Sequence, residues 1–263
     1  MSRDFLPLFF VRKSQEGAPG LGGGFAFGDE MANLTAIVAC ALGGRGRQAG
    51  LSALSWLAVA SMLVGNFLAL KQDNLKRLLG YSSIAHMGYL LVALVVLGTL
   101  GNTALAMEAS VWYLIAYTAS TLAAFSALSA WQSRQGSGEN CQREDLNGMF
   151  WREPLIALVM TVSLLSLAGV PLTAGFIGKF YVVASGVEAA LWVPLAALVL
   201  GSAVSIFYYL RVIYALSIST EATPVAAMKG QWLVQCVFMG LLLAVFALGI
   251  YPEPLIELVS GVL

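Results

Sequence analysis

Charge is scarce in this sequence: lysine, arginine, aspartate and glutamate make up 11% of its 263 residues, where soluble domains carry about 25%. Hydrophobic residues reach 59% and mean hydropathy is +0.82, which excludes an ordinary soluble globule and points to an integral membrane protein. The formal net charge is zero, so no basic field invites nucleic acid. Cysteine is rare too: Cys40, Cys141 and Cys236 are odd in number and far apart, which excludes a disulfide framework or a metal set and leaves free thiols. The sequence contains no glycine-rich phosphate loop, no cluster of metal-ligating side chains and no nucleophile–base–acid set. Redox chemistry, a metal and a bound cofactor within the chain are therefore not expected. A secretory signal is not expected either, because the apolar patch at 5–10 falls short of the roughly 7–15 residues such a segment needs.

Long apolar runs are what the chain has instead. They place spans at residues 51–70, 78–97, 104–131, 154–185, 191–217 and 232–250, each near or above the roughly 20 residues that cross a bilayer. The expected fold is all-α: a polytopic transmembrane helix bundle of about six spans. Residues 49–263 form its transmembrane domain. Residues 1–48 stay unassigned: the stretch 17–28 holds six glycines and Pro19, which favours loop, and the apolar stretch 33–42 is too short to span. Pro154 suits the first turn of a helix, and Tyr251-Pro252-Glu253-Pro254 stops the last one. The loops on one side collect Lys71, Lys76, Arg77, Arg134, Arg143, Arg152, Arg211 and Lys229, while the other side has Arg45 and Arg47. The positive-inside rule makes the first side cytoplasmic and sends the C-terminus outward, although Arg3, Arg12 and Lys13 then fall outside.

Lys179 is the residue least at home in its surroundings. It is the one charged residue in 155–185, a run interrupted by Gly169, Pro171, Gly175 and Gly178. A charge in hydrocarbon costs about 2.5–3.5 kcal/mol on insertion scales, and glycine with proline is the usual composition of a helix broken inside a membrane. The plainer alternative is an amine that snorkels to the outer interface, but 180–187 would then lie as apolar sequence outside the membrane. An intramembrane lysine marks a functional path more often than not. His86, the single histidine, falls in the second span with Ser82, Ser83 and Tyr89 at helical spacing. Ser83 and His86 share a face, and the imidazole is either a neutral interhelical partner or a proton relay. Tyr113, Tyr117, Thr118 and Thr121 make a polar stripe on the third span, of the kind that joins helices or holds water. Lys76 belongs with Lys71, Arg77, Asp73 and Asn74 to a basic anchor and cap at a helix start. Glu108 reads as an interfacial carboxylate, with a proton exit as its functional alternative.

Two motifs carry a resemblance. Residues 65–70 (Gly-Asn-Phe-Leu-Ala-Leu) and 74–89 (Asn-Leu-Lys-Arg-Leu-Leu-Gly-Tyr-Ser-Ser-Ile-Ala-His-Met-Gly-Tyr) resemble the antiporter-like membrane subunits of proton-pumping NADH:quinone oxidoreductase, respiratory complex I. Residues 169–181, from Gly169-Val170-Pro171 to Gly178-Lys179-Phe180-Tyr181, are similar to the subunit N branch of that family, as is Gly249-Ile250-Tyr251-Pro252. The resemblance covers about 51–263. It implies two repeats of inverted topology, each with a broken helix, of which this chain is similar to the second repeat plus the last helix. Lys179 is then the ionisable residue of the second broken helix and His86 the connecting histidine of a central hydrophilic axis, with Lys76, Ser83, Tyr117 and Glu108 in support. The implied activity is proton transfer across a bacterial inner membrane, driven by quinone chemistry elsewhere. The implied partners are the lipid bilayer and the other membrane-arm subunits. NADH, FMN, iron–sulfur clusters and quinone belong to other subunits.

The family's first repeat, with its Glu–Lys pair, has no counterpart in this sequence. The expectation is an exit half-channel and a link, in a chain that is a truncated product, a shifted gene start or one half of a split subunit. A subunit of a multi-subunit sodium/proton antiporter is the alternative within transport. A non-pumping structural fragment of the membrane arm is the alternative outside it.

Overall fold

In a computed structural model the chain is described at residues 47–100, 104–135, 142–218 and 232–251. Residues 1–46 of the unassigned segment, Cys40, Cys141, Lys229 and the tail beyond Tyr251 lie outside those ranges. The chain divides into two units, Met1–Gly50 and Leu51–Leu263, and the candidate site belongs wholly to the second.

The described residues form an antiporter-like membrane helix bundle: α1 (Arg47–Leu70), α2 (Leu75–Leu100), α3 (Ala104–Gln135), α4 (Pro154–Ala168), α5 (Ala174–Glu188), α6 (Trp192–Ser217) and α7 (Trp232–Ile250). Helices α1, α2, α3 and α6 are long and apolar enough to cross a membrane by length and composition, while α4 and the Gln235–Ile250 part of α7 are shorter apolar helices. Charged residues extend the helices past the apolar runs at their ends. Lys76 and Arg77 lie in the first turn of α2, which Asn74 caps by accepting the Arg77 N–H at 3.3 Å. Arg134 ends α3, where a cation suits the helix dipole.

The hydrophilic linker is folded where it is described. Gln142 pairs with Asn74 in an isolated bridge. A 3₁₀ turn (Arg143–Leu146) and a one-turn helix (Met149–Arg152) follow, with Leu146 and Met149 fully buried beneath them. Asp73 takes ion pairs at 3.1 Å from both Arg143 and Arg211, and Arg134 pairs with the buried Glu153. These contacts gather the α1–α2 turn, the linker and the last turns of α6 at one end of the bundle.

Helix α3 is the hub, packed against α2, α4, α5 and α7. Helix α4 carries no charged side chain and is buried along most of its length, as a central helix requires. Helix α6 turns Trp192, Val199, Leu200, Phe207 and Tyr214 outward, a face fit for a bilayer. Glycine lets α1 and α2 approach closely: a Cβ on Gly65 would lie 2.7 Å from the Ala85 nitrogen, and one on Gly88 would lie 2.9 Å from the Ala58 oxygen.

Candidate functional site

The interrupted helix expected over 154–185 breaks at 169–173. Gly169 closes α4 in the left-handed region, at φ 82°, and donates its N–H to Leu165 and Ser166 carbonyls, the usual glycine stop. Val170 also donates to Leu165 O. Pro171 follows and Leu172 takes φ 76°, so the chain turns before α5 starts. The break leaves the last carbonyls of α4 without intrahelical donors.

Lys179 supplies them. It lies on α5 and its side chain reaches back along the helix, the direction in which Cβ bonds tilt. Its Nζ donates to Ala168 O at 2.8 Å and to Leu167 O at 3.1 Å. The residue is 7% exposed. The ammonium thus lies at a helix C-terminus, where the dipole favours a cation. Nζ also stands 5.2 Å over the Tyr89 ring centroid, within cation–π range. Among the described residues no carboxylate forms an ion pair with it. Gly169 makes the approach possible, since a Cβ there would lie 2.8 Å from Lys179 Cδ and 3.2 Å from Nζ. The fold therefore turns the amine inward to the break rather than outward to the interface.

His86 also meets Tyr89. Its Nδ1 is 2.7 Å from the Tyr113 hydroxyl, an N–H···O or O–H···N bond according to tautomer. The imidazole stacks on Tyr117 at 5.0 Å between centroids and packs perpendicular to the Tyr89 ring at 5.5 Å. His86 and Tyr89 are i and i+3 on α2, and Tyr113 and Tyr117 are i and i+4 on α3, so each pair shares a face. All four are buried. One ring, Tyr89, therefore touches both the amine and the imidazole.

Polar contacts hold the two half-helices in place. Ser120 Oγ on α3 lies 2.7 Å from Ser166 Oγ on α4, and Ser166 Oγ accepts the Gly175 N–H of α5 at 3.2 Å. Trp112 Nε1 donates to Ala174 O at 3.4 Å. Gly178 admits α3, for a Cβ there would meet Tyr113 Cα at 3.2 Å. On the far side of Tyr89, Asn66 Nδ2 donates to the Tyr89 hydroxyl at 3.0 Å and to Met62 O at 2.7 Å, while Tyr208 donates to Asn66 Oδ1 at 3.0 Å.

The remaining candidates are more scattered. The Ser83 hydroxyl bonds its own helix at Gly80 O, 2.8 Å away, and it is Ser82 that is buried, bonded to Leu79 O. Thr118 likewise bonds Leu114 O. Lys76 is half-buried in the first turn of α2, about 15 Å along the helix from His86 at about 1.5 Å per residue. Glu108 is half-buried near the start of α3 and is electrostatically coupled to Tyr181 of α5. Sequence pattern does not single out Ser120, Ser166 or Tyr208, whereas Asn66 stands beside Gly65 in the 65–70 motif of an apolar span. Tyr208 lies 142 residues from its partner and offers no such signal.

Comparison with known proteins shows the family of the chain. Residues 45–205 match the family described as "NADH:quinone oxidoreductase/Mrp antiporter, TM". The chain is 48% identical over 213 residues to NADH-quinone oxidoreductase subunit N of Ectopseudomonas mendocina, which covers 79% of this chain and 42% of that protein. With the subunit N of Chromohalobacter salexigens it shares 47% over 209 residues, 78% of this chain and 43% of the relative. Its fold is similar to a chain of respiratory complex I from Thermus thermophilus with bound aureothin, with a TM-score of 0.67 and 35% identity over 78% of this chain and 45% of that one. The chain thus spans less than half the length of the curated relatives it matches.

Proposed function

The chain belongs to the NADH:quinone oxidoreductase/Mrp antiporter transmembrane family, and we propose that it is a membrane subunit of an NADH:quinone oxidoreductase taking part in proton translocation coupled to quinone reduction. One observation carries this reading: Lys179 is buried at the break of α4 and α5, held by two free carbonyls and faced by no carboxylate among the described residues. An amine so placed has no fixed counter-charge to hold it in one state, and lysine, unlike arginine, can give up its proton inside a protein. His86, coupled to it through Tyr89, is the second carrier, and imidazole accepts at one nitrogen while it donates at the other. Like charges on both groups repel, so a charge arriving at one favours release from the other. That exchange is the elementary step of the proposed pump.

The setting follows from the same reading. The partners are lipid and the other membrane-arm subunits of the complex, while NADH, flavin, clusters and quinone belong to other subunits. The location is a bacterial inner membrane, with the Asp73–Arg143–Arg211 end cytoplasmic and the C-terminus outside.

Everted vesicles from cells with and without this chain test the proposal. NADH-driven proton uptake should depend on the chain, and an imposed sodium gradient without NADH should move no protons through it. Sodium-driven proton movement would favour the antiporter reading, and NADH-driven uptake that is the same without the chain would overturn both. In the same vesicles His86→Ala should lower proton uptake per NADH, by a factor of about two to ten, while the complex still assembles. That effect is smaller than the roughly 10²-fold or more a sole proton carrier would show, because water in the vacated space can relay in its place. Wild-type uptake and quinone reduction in the variant would remove His86 from the path.

A further inference from the structure

We infer that Asn66 is a proton insulator: an amide placed in a hydrogen-bonded chain so as to keep Lys179 separate from the loop end of the bundle that carries Asp73. The inference rests on the reading of Lys179 as a proton carrier. A row of polar and aromatic groups leads from that end toward the amine. Tyr208 lines a small cleft with Asp73, Arg143 and Arg211, with room for about one water. It then donates to Asn66 at 3.0 Å. Asn66 donates to Tyr89 at 3.0 Å, and the Tyr89 ring lies under Lys179 Nζ. Such a row, were Asn66 to relay, would carry a proton from the loop end to Tyr89, the residue whose ring lies against the charge-switching amine. A proton carrier reached by an unregulated route dissipates the gradient it builds.

The amide is the member that does not relay. Its orientation is fixed, because Nδ2 also donates to Met62 O at 2.7 Å and a carbonyl only accepts. Oδ1 therefore faces Tyr208 and Nδ2 faces Tyr89. For a proton to cross, Oδ1 must take one from the Tyr208 side while Nδ2 gives one up on the Tyr89 side. This leaves an imidic acid that must then revert, a far less stable tautomer. Hydroxyls, imidazoles and carboxylates pass protons with no such intermediate. Asn66 is 1% exposed, so no water bypasses it at its own position. The site is built for close contact: a Cβ on Gly201 would lie 2.7 Å from Asn66 Nδ2 and 2.8 Å from the Tyr89 hydroxyl. The amide thus pairs with two tyrosine hydroxyls without making the row conductive.

Asn66→Asp tests this with almost no change of shape, since a carboxyl group can take a proton on one oxygen and release it from the other. In everted vesicles holding the assembled complex, an imposed pH gradient is followed without NADH. The variant should dissipate it severalfold faster than wild type, while NADH oxidation and the amount of chain in the membrane stay unchanged. Adding Tyr208→Phe, which removes the hydroxyl leading to the loop end, should restore the slow decay. Decay at the wild-type rate in Asn66→Asp would overturn the inference. So would fast decay that persists in the double variant, because the leak would then run elsewhere. Proton pumping by Lys179→Ala is measured in parallel: if pumping is lost there while Asn66→Asp does not leak, the insulator fails and the pumping role stands. Unchanged pumping in Lys179→Ala would remove the reading on which the insulator rests.

Discussion

Lys179→Ala should abolish the share of NADH-driven proton uptake that this subunit carries, while the chain still accumulates in the membrane. Removing the amine leaves two carbonyls, Leu167 O and Ala168 O, without a donor, at about 1–3 kcal/mol for an unsatisfied buried group. It also removes a charge whose burial was itself costly, and the two effects partly offset each other. Assembly should therefore survive where function does not. A positioned proton carrier is worth roughly 10²-fold or more in rate, and a loss of that order is expected for this subunit's share. Lys179→Arg separates switching from mere charge: guanidinium keeps the cation and donates to the same carbonyls but does not give up its proton in proteins. It should fail to pump about as completely as alanine. Proton uptake per NADH in everted vesicles reads both variants, and substantial pumping by Lys179→Arg would mean that a fixed positive charge is all the site needs.

Gly175→Ala should do the opposite and remove the protein. Gly175 is in the first turn of α5, and a Cβ there would overlap the carbonyl oxygen of Ser166 on α4, a backbone atom that no rotamer change can move. Overpacking usually costs about 1–3 kcal/mol. Here the two half-helices must separate and break the Ser120–Ser166–Gly175 contacts, so about 3 kcal/mol or more is expected. The chain should be strongly depleted from membranes, and whatever remains should melt at lower temperature. Gly80→Ala is the control: nothing lies within 4 Å of a Cβ at Gly80, and alanine in a helix interior is favoured over glycine by about 1 kcal/mol. Equal abundance of the two variants would show that the break tolerates a wider spacing than the fold implies.

The long apolar helices α1, α2, α3 and α6 were legible because bilayer length and apolar composition act on each segment alone. The break was legible for a similar reason: Gly169 and Pro171 dictate local backbone geometry whatever surrounds them. Helix ends were less so, since Lys76 and Arg134 look like loop residues but sit in terminal turns, where capping and the dipole suit them. The direction of Lys179 was not legible, because inward and outward paths satisfy the same sequence until α4 supplies carbonyls. Spacing placed Ser83 on the His86 face, yet a helical serine bonds most easily to its own backbone, and Ser83 does. The Ser120–Ser166 and Asn66–Tyr208 contacts join residues 46 and 142 positions apart. No periodic pattern encodes them, because they come from packing of whole helices.

All of this depends on Lys179 changing between ammonium and amine during turnover. Nitrogen-15 NMR of lysine-labelled complex in membranes observes that nitrogen, with its resonance assigned by its loss in Lys179→Arg. The account predicts an ammonium signal that gives way in part to a neutral amine when NADH is supplied, and recovers when NADH is exhausted. A signal that stays ammonium throughout turnover, in a complex that is pumping, would contradict it.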